Sequence, residues 1–174
     1  MPKTKWVEKK FEFDLAQDEF ASILNRLRET PEKIEQLLYS ISPEILKRKI
    51  DDKWSIQDHI GHIIDLEELH EGRLDDFIKG AEDLRAADMT NKKTHEANHN
   101  QKEILDLLQE LRITRQKFIN RLEVLDDSVL SHVSIHPRLN KPMRPIDMAQ
   151  FVAEHDDHHI YSIIEITNIH MSNK

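Results

Sequence analysis

The sequence predicts an all-α protein, a four-helix bundle with a long crossover connection, and three observations carry that reading. Apolar residues recur at helical spacing in four long segments. Glycine is scarce, at 3 of 174 residues, so little of the chain is punctuated by turns. No stretch forms a convincing pair of period-two strands, and no Asn-Gly or Asp-Gly pair offers a hairpin turn. Leu, Ile, Val and Phe together number 49, a share above the roughly 20% below which chains default to disorder. The length suits one domain. We assign residues 1–15 to an N-terminal arm and 16–170 to a single helical domain.

Each element has its own signal. Phe20, Ile23, Leu24 and Leu27 open the first helical stripe. Thr30-Pro31 reads as an N-cap followed by proline at the first helical position, restarting a helix that carries Ile34, Leu37 and Leu38. Ser42-Pro43-Glu44 repeats that start signal for one short turn. At Ser55-Ile56-Gln57-Asp58 a capping box, with Asp in place of the usual Glu or Gln, begins the second long helix. Its apolar face runs from Ile56 through Ile60, Ile63 and Leu74 to Phe77, and Gly80 closes it. Residues 81–99 are polar and irregular and read as the crossover. Ile104, Leu107, Leu108, Leu111, Phe118 and Leu122 mark a third helix, and Asp126-Asp127-Ser128 starts another short turn. Residues 132–144, with Pro137 and Pro142, read as a structured loop without helix. Pro145 then opens a final helix whose buried side carries Met148, Phe151, Val152, Ile163 and Ile166.

Composition excludes several classes of function. A net charge of −8 and a pI near 5.7 oppose the basic face that nucleic acid or an anionic lipid surface requires. The absence of cysteine removes disulfides, thiolate metal sites and a cysteine nucleophile, and three dispersed glycines form no phosphate loop. The charged start, Glu8-Lys9-Lys10, leaves no room for a signal peptide, and no apolar run approaches the roughly 18 residues of a membrane span. The expected setting is cytoplasmic, with a small molecule as partner and neither nucleic acid nor membrane.

Eleven histidines then call for explanation. His70, His95, His99 and His170 lie among polar residues and read as solvated, while His132 and His136 flank the loop and suit hydrogen bonds to backbone. The run Glu154-His155-Asp156-Asp157-His158-His159 differs. His155 and His159, four residues apart, leave one helix face, which continues through Met148 and Val152 on the buried side. Such a pair suits Zn, Ni, Cu or Fe. His158 lies about 100° around the helix. On the second helix, His59 and His62 interrupt an isoleucine-rich face, and either offers a third nitrogen. Spacing alone leaves a rival reading, core histidines satisfied by Asp58, Asp65 or Glu154.

The segment Lys53-Trp54-Ser55 through His62 to Asp65 resembles the W-S-x-x-x-x-x-x-H segment of the DinB-like superfamily, which includes YfiT-type proteins. Met143 to Ile164 is similar to that family's final helix with its H-x-x-x-H pair, and Arg28-Glu29-Thr30-Pro31 and His136-Pro137-Arg138-Leu139 extend the likeness over residues 18–166. The resemblance implies a four-helix bundle whose metal ligands fall on His62, His155 and His159. It further implies a divalent metal, zinc or nickel, in a cleft between helices. His59 and His158 become rim or supporting residues, and Asp65, one turn past His62, is placed to orient a ligand imidazole. Trp54 reads as a packing anchor. Arg144 and Tyr161 are candidates to reach a substrate.

Three protein ligands leave coordination positions open, as catalytic sites require. The resemblance therefore implies thiol transfer with a low-molecular-weight thiol cosubstrate ahead of metal-dependent hydrolysis. Arg138, Lys141 and Arg144 would supply a cationic rim for a carboxylate-bearing thiol. A non-catalytic metal-binding or stress-response protein, a metal-free interaction module and a homodimer paired through apolar faces are the other readings.

Overall fold

In a computed structural model that describes residues 5–51 and 53–172, the chain forms α1 (Phe20–Leu38), α2 (Pro43–Lys47), α3 (Ile56–Ile78), α4 (Lys92–Glu96), α5 (Ile104–Glu123), α6 (Asp127–Leu130), β1 (Ser134–His136), β2 (Lys141–Met143) and α7 (Pro145–Ser172). The first four residues of the expected arm lie outside this range. The long helices α1, α3, α5 and α7 make the bundle: α3 packs on α5 and α7, and α1 packs on the other side of the same two. Residues 79–103 form the crossover, with α4 inside it.

Most boundaries follow from the local chemistry. Ser55 accepts from the Asp58 amide, and Asp58 accepts from the Ser55 amide, both at 3.1 Å, so the shorter acid completes the capping box. Gly80 ends the helix at φ +69°, a left-handed conformation that costs glycine nothing. Asp126 caps α6 by accepting from the Val129 amide.

Two expectations are corrected. Thr30-Pro31 does not restart a helix, because α1 is continuous through both residues. The Thr30 hydroxyl donates to Asp156 of α7 at 3.0 Å and lies 3.3 Å from the Arg26 carbonyl one turn earlier, so it serves a helix interior and not an N-cap. Leu27, Pro31, Ile34 and Leu38 make one uninterrupted buried stripe, and burial offsets the roughly 3 kcal/mol that an interior proline costs a helix. The loop over 132–144 contains a hairpin, β1 antiparallel to β2 with Ile135 opposite Pro142. Three-residue strands are too short to show alternation. Pro142 sits on the outer strand, where a missing N–H costs no ladder bond, while Ile135 also exchanges bonds with Glu82 and Leu84 of the crossover.

The core is divided. Ile23, Leu24, Leu27, Leu74, Phe77, Phe118, Leu122 and Val152 form one apolar cluster toward the hairpin end. Ile34, Ile56, Ile60, Ile63, Leu107, Leu111 and Ile163 form the other, toward the opposite end. At about 1.5–3 kcal/mol for each fully buried large side chain, both hold the bundle together. Between them every long helix contributes buried polar residues: Thr30, then His62, Glu67 and His70, then Arg115, then His155, Asp156 and His159. The N-terminal segment folds back over α7, with Phe11 buried and Trp6 packed edge-on to Phe151 at 5.0 Å between ring centres.

Candidate metal centre

The cluster is built from two facing helices. His155 and His159 leave α7 one turn apart toward α3, and His62 meets them from that helix. One nitrogen from each ring lies within 4.8 Å of the others, all three residues being buried. The Nε2 atoms of His155 and His159 stand 3.1 Å apart. Two imidazoles on one tetrahedral ion, with bonds of about 2.0–2.1 Å, bring their nitrogens to slightly over that separation.

Burial holds the rings neutral. Loss of solvation pushes His62 down to about 4, with the positive potential of neighbouring histidines adding to the effect. His155 and His159 fall well below their ordinary value for the same first reason. Neutral imidazole is the form that ligates.

Their outer nitrogens are differently supported. His62 Nδ1 lies 3.0 Å from Thr94 Oγ1 of α4, and a proton held on that nitrogen leaves the Nε2 lone pair for the cluster. Thr94 in turn hydrogen-bonds Asp65. Burial pushes that carboxyl up, yet the bonds from His99 and Thr94 hold it below the usual range. His159 Nδ1 faces His59 Nδ1 at 2.8 Å. His155 Nδ1 is buried without a hydrogen-bond partner. The donor set, three neutral imidazoles on rigid helices, fits a divalent transition-metal ion.

The other expected residues separate. His158 lines the adjoining cavity and packs on Trp6 and His159. Asp65 does not touch His62. Its carboxylate binds His99 Nε2 at 2.8 Å and is linked to the cluster through Thr94, while its charge partly opposes the lowering of His62. Arg144 lies away from the cavity, its guanidinium held by Asp147 and the Leu15 carbonyl at the start of α7. Tyr161 is exposed on α7 and does not line the cavity. The expectation that His70, His99 and His170 are solvated is corrected, since all three are buried. Trp54 does more than anchor the helix entrance, because its ring packs on His62 at 4.7 Å and stacks on His159 at 6.0 Å.

A cavity of about 530 Å³ opens over the cluster, walled by Trp6, Trp54, Leu66, Leu69 and Phe151 and also by His70, Arg73 and His136. His70 and Arg73 escaped the sequence reading, although a signal existed. They follow His62 by eight and eleven residues, about 2.2 and 3.1 turns, so Arg73 continues its face and His70 lies roughly 80° to one side of it. A larger groove of about 1,020 Å³ runs between α1 and α5, but its Arg28, Arg112 and Arg121 are already paired with Glu123, Glu35 and Glu71.

Behind the cluster lies the charged centre of the polar layer. Arg115 donates to Glu67 at 2.7 Å and grips Asp156 with two nitrogens, one of them at 3.1 Å. Burial opposes the charge on Arg115, but the two carboxylates outweigh it and hold the guanidinium above its ordinary value. His70 Nδ1 stands 3.8 Å from Glu67.

The sequence pattern of the DinB superfamily matches residues 26–163. Among solved structures, YfiT from Bacillus subtilis, described as a probable metal-dependent hydrolase with an unusual four-helix bundle topology, superposes with a TM-score of 0.73 at 19% identity, covering 92% of each chain. No curated protein matches the chain. No helix among the described residues is long and apolar enough to cross a membrane.

Proposed function

The chain belongs to the DinB superfamily, and from that premise we propose that it is a metal-dependent hydrolase of a small-molecule substrate. His62, His155 and His159 would hold the divalent ion, for which zinc and nickel suit three imidazoles. One observation carries the reading: three neutral imidazole nitrogens from two rigid helices converge within 4.8 Å beneath an open cavity. The description of YfiT, which shares the fold, agrees with it. When bound, an ion with three protein ligands supplies a water of lowered pKa and polarises a substrate oxygen.

The chain's own residues prepare that chemistry. Thr94 and His59 fix the rings of His62 and His159. Trp6, Trp54 and Phe151 give the space above them an apolar side. His70, in the same wall and beside Glu67, is the group placed to carry a proton. Thiol transfer remains an arm of the test: the chain lacks cysteine, so any sulfur would come from a cosubstrate.

The experiment is metal analysis of protein purified without a nickel column, followed by ester, amide and thiol-conjugation assays. About one ion per chain is expected, lost together with hydrolysis in His62→Ala and His155→Ala. Hydrolysis that persists in both variants would sink the proposal, and conjugation without hydrolysis would replace it with transfer.

A further inference from the structure

Arginines in this protein normally bring their own counter-charge. Arg26, Arg28, Arg85, Arg112, Arg115, Arg121 and Arg144 each pair with a carboxylate. Arg73 and Arg138, both in the wall of the cavity above the histidine cluster, have no carboxylate partner among the described residues. Arg73 is only 2% exposed, and its hydrogen bond goes from Nε to the Arg85 carbonyl. The nearby acid, Asp76, is taken by Arg85 through both of its oxygens. Burial brings Arg73 down to about 10, which still leaves it charged at neutral pH.

Two further donors sit beside it. Arg138 Nη2 is buried with no hydrogen-bond partner. His136, buried at the end of β1, accepts from the Leu139 amide at Nδ1, so its neutral ring carries the proton on Nε2. That Nε2 is also buried and unpartnered. Among the lining residues the only carboxylate is Asp88, exposed and engaged by Thr90 and by the Lys92 amide. Unpaired buried donors of this kind are costly unless a ligand completes them.

We propose that Arg73, Arg138 and His136 form an anion-binding subsite that selects substrates bearing a carboxylate or phosphate group. Arg73 lies eleven residues along α3 from His62, and His136 packs at 5.1 Å on Phe151, one turn from His155. The subsite therefore stands on the order of 10–15 Å from the cluster. Leu66, Leu69, Trp6 and Phe151 lie among the lining. The substrate class is an elongated molecule with an anionic end, an apolar middle and a hydrolysable bond at the far end. That these ligands are substrates rests on the hydrolase reading, whereas the subsite itself does not.

Calorimetry with 4-phenylbutyrate, 4-phenylbutyl phosphate and the neutral 4-phenylbutanol tests it, on full-length protein both zinc-loaded and EDTA-treated. At least one anion is expected to bind about 10- to 100-fold more tightly than the alcohol, as charge-assisted hydrogen bonds allow. The preference should persist without metal, vanish in Arg73→Met and fall partially in Arg138→Gln. The tighter of the two anions names the headgroup. Arg73→Met should also raise the melting temperature of the free protein, since a buried charge that Asp76 offsets only from a distance is removed. Equal binding of acid and alcohol, a preference that survives both substitutions, or no binding by either anion overturns the subsite. A preference that disappears with EDTA assigns the anion to the metal instead and overturns it too, leaving the hydrolase reading intact. Anion binding without any stoichiometric metal would retire the hydrolase reading alone.

Discussion

Arg115 of α5 and Asp156 of α7 face each other at mid-height in the bundle, joined by two guanidinium nitrogens and both about 1% exposed. Asp156 is the immediate neighbour of His155. The pair therefore fixes the rotation of α7 and keeps His155 and His159 turned toward α3. Thr30 adds a donor to the same carboxylate from α1. A charged clamp at this depth contributes little to net stability, because desolvation cancels most of the attraction. Its effect is to specify which face of α7 points inward.

Removing one partner exposes that arrangement. Arg115→Met leaves Asp156 and Glu67 buried without their cation, which costs about 3–5 kcal/mol. The triple change Arg115→Met, Asp156→Leu, Glu67→Leu should recover most of that loss in urea denaturation. Metal affinity should stay weakened in the triple variant, since the packing is restored but the rotation of α7 is no longer set. Equal urea midpoints for the single variant and the wild type would refute this account.

Thr94→Val tests how the crossover supports the cluster. The substitution keeps the volume and removes the hydroxyl between His62 Nδ1 and Asp65. The ring loses its orienting partner, and supporting contacts of this type are worth about 10- to 100-fold in metal affinity. Stability should fall by only about 1 kcal/mol. Competition against a chelator measures the first quantity, and unchanged affinity would remove Thr94 from the site.

The fold was legible because its elements are long and their signals are local. Ser55 and Asp58 cap α3 as a short sequence motif can foretell, and Gly80 ends it. The hairpin was hidden because its strands are three residues long and are held partly by Glu82 and Leu84, some fifty residues earlier. The pairing of His62 with His155 and His159 came from family likeness, since helical spacing shows only that two rings share a face. Burial of His70 and His99 went unread because polar neighbours in sequence suggested solvent, whereas Glu67 and Asp65 accompany them into the interior. Thr94 could not be found at all from its neighbours, because a crossover residue acquires its partner only when the bundle closes.

Acid should weaken the metal-free protein before its carboxylates titrate. His62 and His136 are held down to about 4, and His155 and His159 well below the ordinary value. The unfolded chain takes up these protons near pH 6.5, while the folded chain takes up those of His62 and His136 only near pH 4 and those of His155 and His159 only well below the ordinary value. Stability is therefore flat in these groups above about pH 7 and falls as the pH drops from 6.5 toward 4. Each group contributes at most about 1.4 kcal/mol per pH unit. Urea curves of EDTA-treated protein at pH 7.5, 6.5 and 5.5 check the sign, and His136→Phe should flatten the slope without touching the cluster. A stability that rises toward pH 5.5 would contradict it.

Two glycines on α3 separate propensity from packing. Replacing an interior helical glycine by alanine gains about 1 kcal/mol when nothing else changes. At Gly61 a Cβ would lie 2.2 Å from the Cγ of His99, near the base of a ring that is 1% exposed and tied to Asp65. That ring cannot swing aside without breaking the bond to Asp65 and shifting the crossover that carries Thr94. Gly61→Ala should therefore destabilise despite the helical gain, and should become neutral or stabilising once His99→Ala makes room. At Gly72 the Cβ would meet the guanidinium end of Arg85, a side chain 45% exposed. Arg85 can move outward at the cost of a surface ion pair worth about 0.2–1 kcal/mol. Gly72→Ala should thus be close to neutral. Equal losses at the two positions in thermal denaturation would show that helix geometry, and not the seating of His99 on α3, requires glycine there.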